Sequence, residues 1–588
     1  MVFAQAAQHG HRIVFQVKKE GRYHPITWSE LISQVEGIVL GLMESGIEPG
    51  DRVAILSENR PEWAYADVAS LSIGAATVPI YTTLSPPEIE HILRDSGAKL
   101  MFVSTPDLLS KVLSLREFPD LKIVLFDAPY RVTGPKVFWL GELVGFGKAA
   151  GESKREAWKA RVDGGKSEEL ATLIYTSGTT GPPKGVMLTH GNFLSNAKAV
   201  SEVLPFFESD TTLSFLPLSH SFERMAGYYF VLWAGGRIAY AESLEKVPQN
   251  LVEIQPTVVT GVPRFYEKFY ERVQETLRES KGLKRKIMDW AMRVGRKRAE
   301  RLLKKNRICL WMQLQYQIAD GLVFSQLRRR LGGRIRFFIS GGAPLSKELA
   351  EFFYSAGILI LEGYGLTETS PVISANRPNQ FQFGTVGLPL PGVEVSIAPD
   401  GEILTRGPHV MRGYWNNPQA TAEVIDADGW FHTGDVGTLD SQGFLAITDR
   451  KKDLIKTSGG KMVAPQNLEN ALKKDPLIAD CVVIGDRRKF LTALIVPDFA
   501  KVEAFAKEMG FSSLSREELA KHPKVANLLR DRVEAVNQGL APYEQIKKIT
   551  ALSEPFTLGG GELTPTLKVK RRVVTERYAA QIEAMYQT

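Results

Sequence analysis

Cysteine is scarce in this chain, which has only Cys309 and Cys481 among its 588 residues. The two lie far apart in the sequence, so neither a disulfide framework nor a cysteine-rich metal site is indicated. This scarcity favours a reducing compartment.

Long apolar runs are also missing. No stretch of about 18 uncharged apolar residues occurs, and Met1 to Arg12 lack the apolar centre of a secretory signal. Low-complexity tracts and fixed-period repeats are absent as well. We therefore expect a folded protein of the cytoplasm. Because one domain usually takes about 150 residues, a chain of 588 residues predicts several cores or one large divided domain.

Acidic residues do not fully balance the basic ones, since 73 Lys and Arg against 66 Asp and Glu leave a formal net charge of +7. The excess is concentrated in residues 281–307, which contain twelve Lys or Arg but only Asp289 and Glu300 as acidic residues. No base-stacking aromatic module accompanies this segment, so we expect no nucleic-acid partner.

The basic segment is predicted to be an amphipathic helix that begins a basic helical insertion over residues 281–334. Leu283, Ile287, Trp290 and Val294 are spaced for one helical face. Two interpretations stay open. The apolar stripe packs on its own domain as in an ordinary surface helix, or the helix makes a peripheral contact with an anionic membrane surface.

Apolar runs that alternate with helical periodicity predict α/β layers before Glu402. Trp28 to Glu44 has helical periodicity. The runs predicted to be strands are Val53–Leu56, Leu100–Val103, Ile123–Phe126, Leu173–Tyr175, Val258–Thr260 and Ile335–Ile339. From Glu402 onward, shorter runs bounded by Gly and Asp predict a smaller β-rich piece. We place a boundary near residues 450–452, which gives domains 1–450 and 451–588.

A loop rich in Gly, Ser and Thr, Tyr175-Thr-Ser-Gly-Thr-Thr-Gly-Pro-Pro-Lys-Gly185, follows one predicted strand. Its glycines let backbone N–H groups approach phosphate oxygens, while its hydroxyls and lysine add donors and charge. The residues expected to bind a polyphosphate are Thr176, Ser177, Gly178, Thr179, Thr180, Gly181 and Lys184. A Walker-type loop would continue with Ser or Thr after the lysine, but Gly185 stands there, so a P-loop NTPase is disfavoured. A flexible linker would not explain the apolar runs on both sides.

Three further segments suit a nucleotide. In Gly363-Tyr-Gly-Leu-Thr-Glu-Thr-Ser-Pro371, an aromatic ring, a hydroxyl and a carboxylate suit an adenine, a phosphate and its Mg²⁺. Glu368 stands where a dinucleotide fingerprint would have its third glycine. In Gly429-Trp-Phe-His-Thr-Gly-Asp-Val-Gly437, Asp435 can accept hydrogen bonds from two ribose hydroxyls or simply belong to a β-turn. The cation-rich segment 449–461 fits a mobile phosphate-facing loop or a solvated charge run.

Taken in this order, the segments resemble the adenylate-forming superfamily, which contains acyl-CoA synthetases, luciferases and peptide-synthetase adenylation domains. The resemblance spans essentially the whole chain. Leu216-Pro-Leu-Ser-His-Ser-Phe-Glu-Arg224, Ser340-Gly-Gly-Ala-Pro-Leu345 and Leu563-Thr-Pro-Thr-Leu-Lys-Val-Lys570 are similar to the long-chain fatty acyl-CoA synthetase branch. The resemblance implies a large N-terminal domain of layered α/β subdomains with a β-rich piece. A small mobile α+β C-terminal lid would follow, with its hinge at Lys452. The substrates it implies are ATP, coenzyme A and a fatty acid, with Mg²⁺.

The resemblance also implies roles for individual residues. In the first half-reaction, Tyr364, which stands between Gly363 and Gly365 in the sequence, would stack on adenine, Asp435 would bind the ribose, and Arg450 would support the nucleotide. Thr367 would contact the α-phosphate, and Glu368 would bind Mg²⁺. His220 would lie at the acyl carboxylate, and Lys568 would be the catalytic lysine. The physical logic agrees, because a carboxylate that attacks the α-phosphate brings two anions together and cations must neutralise the charge. For the thiol step, the lid would present Lys456, Gly459 and Gly460, whose glycines let pantetheine pass close to the backbone.

One residue departs from the pattern. Some bacterial long-chain enzymes of this branch have a tryptophan gate four residues after the histidine, where Arg224 stands here, so the acyl gate must be built differently. Transfer of the acyl group to a carrier protein, and a medium-chain or aryl acid as substrate, stay open as alternatives. A non-catalytic nucleotide or acyl-chain sensor is disfavoured because the residues expected to act on the nucleotide are all present: Thr367, Glu368, Asp435, Arg450 and Lys568. The oligomeric state also stays open.

Overall fold

The computed structural model describes residues 1–115, 118, 120–127, 136–176, 182–511, 513–557, 559–563 and 569–587. Helices up to residue 450 are α1 (Val2–His9), α2 (Trp28–Glu44), α3 (Pro61–Ser72), α4 (Pro86–Ser96), α5 (Pro106–Leu113), α6 (Leu140–Ala149), α7 (Glu152–Gly164), α8 (His190–Val203), α9 (Phe230–Trp233), α10 (Val247–Ile254), α11 (Pro263–Glu279), α12 (Gly282–Leu303), α13 (Leu310–Ala319), α14 (Ser325–Arg329), α15 (Lys347–Ser355) and α16 (Pro418–Ala422). Residues Glu223–Tyr229 and Asp320–Phe324 are π-helical, and Thr367–Thr369 form a 3₁₀ turn.

The strands of the same part are β1 (Ile13–Lys19), β2 (Arg22–Thr27), β3 (Arg52–Leu56), β4 (Ala76–Ile80), β5 (Leu100–Val103), β6 (Lys122–Leu125), β7 (Val137–Trp139), β8 (Leu170–Thr176), β9 (Lys184–Thr189), β10 (Thr211–Ser214), β11 (Arg237–Tyr240), β12 (Val258–Gly261), β13 (Phe337–Ser340), β14 (Ile360–Gly365), β15 (Val372–Ala375), β16 (Leu388–Pro389), β17 (Glu394–Ile397), β18 (Glu402–Arg406), β19 (Gly413–Tyr414), β20 (Phe431–Leu439) and β21 (Leu445–Arg450). Each predicted strand is present, shifted by at most a few residues, and the helix predicted over Trp28–Glu44 has those bounds.

Three sheets build the α/β layers. The largest has the strand order β19-β9-β8-β4-β3-β5-β6-β7, and its run from β8 to β7 is parallel. The second has the order β10-β11-β1-β2 and the third β12-β13-β14-β15-β16. Strands β12, β13 and β14 are parallel, so their carboxyl ends meet at one edge, where ligands usually bind in such sheets.

The predicted β-rich piece is an antiparallel sheet with the order β17-β18-β20-β21. Its last two strands bring Asp435 directly opposite Arg450. Antiparallel pairing therefore places two of the predicted nucleotide-binding residues side by side at the end of this sheet.

After residue 450 the chain forms a smaller α+β unit. Its elements are β22 (Ile455–Lys456), β23 (Met462–Val463), α17 (Pro465–Leu472), β24 (Ile478–Ile484), β25 (Leu491–Pro497), α18 (Phe499–Glu508), α19 (Arg516–Lys521), α20 (Pro523–Asn537), β26 (Ile546–Ala551), α21 (Arg571–Arg577) and α22 (Ala579–Tyr586). A three-stranded sheet, β24-β25-β26, is covered by helices and has hydrophobic clusters of its own. This separate core is what the predicted lid domain 451–588 requires.

The basic helix α12 differs from its prediction in the face that it buries. Ala291, Val294 and Ala299 are buried, and Trp290 packs against the same cluster, whereas Leu283 is 74% exposed. Helix α12 packs against α13 and α15. Of the predicted apolar stripe, Trp290 and Val294 therefore pack on their own domain, whereas Leu283 does not.

Helix α2 begins with a capping box, in which Thr27 Oγ1 accepts from the Glu30 N–H and Glu30 accepts from the Thr27 N–H.

Helices α2 and α6 approach closely because both have glycines at the contact. A Cβ added to Gly147 of α6 would lie 2.3 Å from the Gly37 carbonyl oxygen of α2. The helix contact thus depends on backbone meeting backbone.

We predict that Gly147→Ala lowers the melting temperature, since overpacking of this kind costs about 1–3 kcal/mol. Gly145→Ala is the matched control in the same helix, because its added Cβ meets no atom within 4 Å. This control should be neutral or slightly stabilising, because Ala is favoured over Gly in helices by about 1 kcal/mol. Thermal unfolding followed by circular dichroism compares the two, and equal melting temperatures would contradict the packing argument.

Candidate active site

The turn after β14 positions the central site residues. A Cβ on Gly365 would lie 1.7 Å from the Pro371 carbonyl oxygen, so only glycine fits where the end of β14 lies against the residue before β15. The chain then enters the 3₁₀ turn Thr367–Thr369. This geometry brings Tyr364, Thr367 and Glu368 to the carboxyl edge of the third sheet.

Tyr364, Asp435 and Arg450 form one cluster. The Tyr364 hydroxyl donates to Asp435 Oδ2 at 2.7 Å, and Arg450 Nε lies 3.4 Å from Asp435 Oδ1. Burial and then the Asp435 carboxylate raise the pKa of Tyr364 well above its ordinary value, so its hydroxyl stays a donor. Asp435 is thereby held by one partner from β14 and one from β21.

Thr367 lies beside the segment that contains His220. Its Oγ1 is 3.0 Å from Ser221 Oγ. The Phe222 backbone N–H donates to His220 Nδ1 at 3.0 Å, so a neutral imidazole has its proton on Nε2. The predicted α-phosphate and carboxylate residues are thus brought together, linked through a serine.

Glu368 and Lys184 share Tyr414 as a neighbour. The Tyr414 hydroxyl donates to Glu368 Oε1 at 2.9 Å, and Lys184 Nζ lies 4.9 Å from the centre of the Tyr414 ring. Burial raises the pKa of Glu368. Within the described ranges, no group of three or more His, Cys, Asp or Glu side chains is arranged to hold a metal ion.

The phosphate loop is framed by a hairpin. Thr176, the last residue of β8, is the register partner of Lys184, the first of β9. Ser177, Gly178, Thr179, Thr180 and Gly181 lie outside the described residues. The described ends of the loop lie next to each other in the largest sheet.

A cleft of about 1310 Å³ is lined by both parts of the chain. Gly363, Tyr364, Gly365, Asp435 and Arg450 line it from one side. Asn470, Lys473, Lys570, Arg571 and Arg572 line it from the C-terminal part. Lys568 lies outside the described residues, and Val569, which follows it, also lines the cleft.

Lys456, Gly459 and Gly460 are not brought to this cleft. Lys456 and Gly460 line a separate cavity of about 440 Å³ together with Asp486 and Arg487. Gly459 lies in the same turn, where the Gly460 N–H donates to the Thr457 carbonyl and Gly460 has a φ of +76°. These residues do not line the cleft that holds Tyr364 and Asp435.

Several residues of the site were missed from the sequence. Glu362 lines the cleft and accepts from the Leu345 N–H at 3.0 Å, and burial raises its pKa to about 8. Arg571 is ion-paired with Glu469 at 2.7 Å. Glu362 could have been noticed in the sequence, because it stands directly before the motif that begins at Gly363. The Arg571–Glu469 pair could not, since it joins segments that are distant in the sequence.

Arg224 is a fully buried ion-pair partner of Asp67. Its guanidinium also donates to Thr172 and Thr77 and lies 5.3 Å from the centre of the Trp63 ring. Breaking a buried pair of this kind costs about 3–5 kcal/mol, so this side chain does not swing as a gate would. The expectation that the acyl gate is built differently here is consistent with this arrangement.

Curated relatives are similar along the whole chain. A long-chain-fatty-acid–CoA ligase, FadD15 of Mycobacterium bovis, is 38% identical over 100% of this chain and 96% of its own length. The peroxisomal long chain acyl-CoA synthetase 6 of Arabidopsis thaliana is 34% identical over 96% of this chain and 82% of its own length.

Solved structures share the fold. The anthranilate CoA ligase AuaEII in complex with anthranoyl-AMP has a TM-score of 0.72 at 22% identity and covers 99% of this chain and 97% of its own. ATP-bound MatB from Rhodopseudomonas palustris has a TM-score of 0.71 at 22% identity, with 98% and 97% covered. The predicted α/β fold with a smaller C-terminal domain is confirmed.

Family profiles agree with these similarities. Residues 2–415 match the AMP-binding enzyme family, and residues 452–588 match the AMP-binding enzyme C-terminal domain. The chain belongs to the AMP-binding family of adenylate-forming enzymes, as its motifs predicted.

Proposed function

We propose that the chain is an AMP-forming long-chain fatty acid–CoA ligase. The observation that carries this proposal is similarity to a named long-chain-fatty-acid–CoA ligase over 100% of this chain. The cleft supports it, because hydroxyl, carboxylate and cationic groups suited to a nucleotide line one space between the two parts of the chain.

The reaction has two steps. A carboxylate oxygen of the fatty acid attacks the α-phosphorus of ATP, and the bond to pyrophosphate breaks, which gives acyl-AMP. The thiolate of coenzyme A then attacks the acyl carbonyl carbon, and the bond to AMP breaks, which gives the thioester. Both transition states place negative charge on oxygen, so positioned donors and cations lower the barrier.

The Tyr364–Asp435–Arg450 cluster is proposed to bind the nucleoside. Two donors hold the Asp435 carboxylate in place. A carboxylate has about four lone-pair sites, so it can still accept from ribose hydroxyls. The Tyr364 ring offers a face on which adenine can stack.

Thr367 and His220 are proposed to meet where the carboxylate approaches the α-phosphate. The contact between Thr367 and Ser221 fixes their separation. Glu368 would hold Mg²⁺, whose charge stabilises the phosphate oxygens when it is bound. Residues 176–181 with Lys184 would hold the β- and γ-phosphates, and Lys568 would neutralise charge on the α-phosphate.

The lid is proposed to change pose between the two steps. Lys456 and Gly460 line a cavity apart from the cleft, and Gly459 lies in the same turn, so these residues would have to move to serve the thiol step. Lys452 lies in the turn between β21 and β22, where a change in backbone angles would swing the C-terminal part.

Incubation of the protein with palmitate, ATP, Mg²⁺ and coenzyme A should yield palmitoyl-CoA, AMP and pyrophosphate in equal amounts. Mass spectrometry of the thioester and chromatography of the nucleotides measure this, with decanoate and benzoate as competing acids. Formation of acyl-AMP without any thioester would support the alternative of a carrier-protein acceptor. A preference for decanoate or benzoate would exclude the long-chain assignment.

Lys568→Ala should abolish acyl-AMP formation but leave thioester formation from supplied acyl-AMP largely intact. A charge used in one transition state affects only that step. Pyrophosphate release and thioester formation are measured separately. Lys521→Ala is the control in the same part of the chain, since this exposed side chain does not line the cleft and pairs with Glu517 in its own helix. Equal loss of both half-reactions in the lysine variant would contradict its assigned role.

A peripheral contact with anionic membranes is the second proposal. We assign its apolar part to α13 and not, as the sequence suggested, to α12. Five large side chains on one face of α13 and the following π-turn are exposed: Leu310 (89%), Trp311 (67%), Leu314 (47%), Ile318 (49%) and Leu322 (50%). Contiguous exposed apolar surface of this kind marks interaction sites. The neighbouring basic helix α12 favours an anionic lipid surface as the partner. Among the described residues, no helix has the length and apolar character needed to cross a bilayer.

Vesicle co-sedimentation separates the two contributions to this contact. Changing Lys284, Lys286, Arg296 and Lys297 to Glu should remove the salt-sensitive binding to anionic vesicles, since each cation contributes about 1 kcal/mol. Changing Trp311, Leu314 and Ile318 to Ser should remove the binding that persists at high salt. Leu244→Ser, which alters an exposed leucine (63%) elsewhere, is the control and should bind like the parent. Unchanged sedimentation of both multiple variants would exclude this surface.

A further inference from the structure

Two consecutive charged residues at the start of the π-helix Glu223–Tyr229 are fully buried. Glu223 is 1% exposed and Arg224 is 0% exposed. Burying charge is costly unless every group finds partners, so two such residues in succession require an explanation. Their partners lie on different sheets.

Glu223 joins two sheets. Its Oε1 accepts from Ser214 Oγ at 2.7 Å, and its Oε2 accepts from Thr260 Oγ1 at 2.8 Å. Ser214 ends β10 in the second sheet, and Thr260 lies in β12 of the third. A Cβ on Gly227 would come within 2.4 Å of this carboxylate, so glycine at that position makes room for it.

Arg224 joins the same segment to the largest sheet. It donates to Thr172 on β8 at 2.7 Å and to Thr77 on β4 at 2.6 Å. It is also ion-paired with Asp67 of α3, whose other oxygen accepts from the Tyr229 hydroxyl at 2.8 Å. The start of the π-helix is therefore attached to three sheets by two side chains.

The residues just before this attachment belong to the proposed site. The Arg224 backbone N–H donates to the His220 carbonyl at 3.0 Å, so the first turn is continuous with His220. Ser221 contacts Thr367 at 3.0 Å. Phe222 lies against Gly341, where an added Cβ would be 2.9 Å from the ring.

We propose that Glu223 and Arg224 are positioning residues that fix the segment 220–222 against Thr367. This inference rests on the proposed ligase function for its kinetic consequences. A misplacement of about 1 Å costs on the order of a hundredfold in rate, so loosening the attachment should affect the acyl-AMP step specifically. The cluster proposed to bind the nucleoside, Tyr364, Asp435 and Arg450, lies on other strands, so nucleotide binding should be unaffected.

Glu223→Ala removes both hydrogen bonds to the sheets. It should lower kcat for acyl-AMP formation about tenfold or more while the KM for ATP stays within about twofold. Glu223→Gln should restore most of the rate, because hydroxyls can donate to its oxygen and accept from its amide. Thr260→Val, which removes one bond at nearly constant volume, should give an intermediate loss and serves if the alanine variant fails to fold.

Hydrogen–deuterium exchange provides a readout that does not depend on activity. In Glu223→Ala and Thr260→Val, exchange should increase in peptides that cover residues 217–224 and stay at the parental rate in β14. Arg336→Met is the matched control, since it removes an ion pair to the buried Asp210 before the other end of β10. It should lower the melting temperature without changing kcat or exchange at 217–224.

Failure of this inference and failure of the ligase assignment are distinguishable. A parent without ligase activity would overturn the assignment, and exchange would still decide whether the segment is held by Glu223. Parental exchange at 217–224 in both variants would overturn the proposal. Parental kcat in a folded Glu223→Ala protein, or an equal kcat loss in Arg336→Met, would also overturn it.

Discussion

The arrangement of residues along the cleft depends on the buried carboxylate of Asp435. It is 6% exposed, and a carboxylate buried to that degree needs donors. Tyr364 supplies one from the end of β14, and Arg450 supplies another from the end of β21. The next residues, 451–453, form the turn into the C-terminal part. The same contact therefore fixes the Tyr364–Asp435–Arg450 cluster and the place from which the second part of the chain departs.

One ion pair between the two parts is more exposed than a pair within the C-terminal part. Lys474 Nζ lies 2.9 Å from Glu348 Oε1 across the cleft, but these side chains are 49% and 65% exposed. Exposed pairs of this kind contribute about 0–1 kcal/mol. The Arg571–Glu469 pair inside the C-terminal part is much more buried, at 23% and 9%. The proposed swing of the lid would break this exposed pair and keep the Arg571–Glu469 pair.

The sequence predicted those parts of the site that local pattern determines. Tyr364, Thr367 and Glu368, which one short motif singled out, lie together because β14 runs directly into the 3₁₀ turn Thr367–Thr369. Contacts that depend on pairing between distant segments could not be predicted, such as Tyr414 with Glu368 or Ser221 with Thr367. The buried face of α12 was predicted only in part, since periodicity identifies an apolar stripe without saying which neighbour covers it.

The order of elements connects the proposed membrane surface to the site. Helices α11 to α14 form an excursion between β12 and β13, which are adjacent parallel strands of the third sheet. Helix α12 packs on α15, and α15 leads into β14, which ends at Tyr364. Strand β12 also provides Thr260, the partner of Glu223. The excursion that contains the exposed stripe of α13, the Glu223 partner Thr260 and the Tyr364 ring are thus connected through one sheet. Under the proposed function, strands held by a backbone ladder would keep these surfaces at a fixed distance better than a flexible linker would.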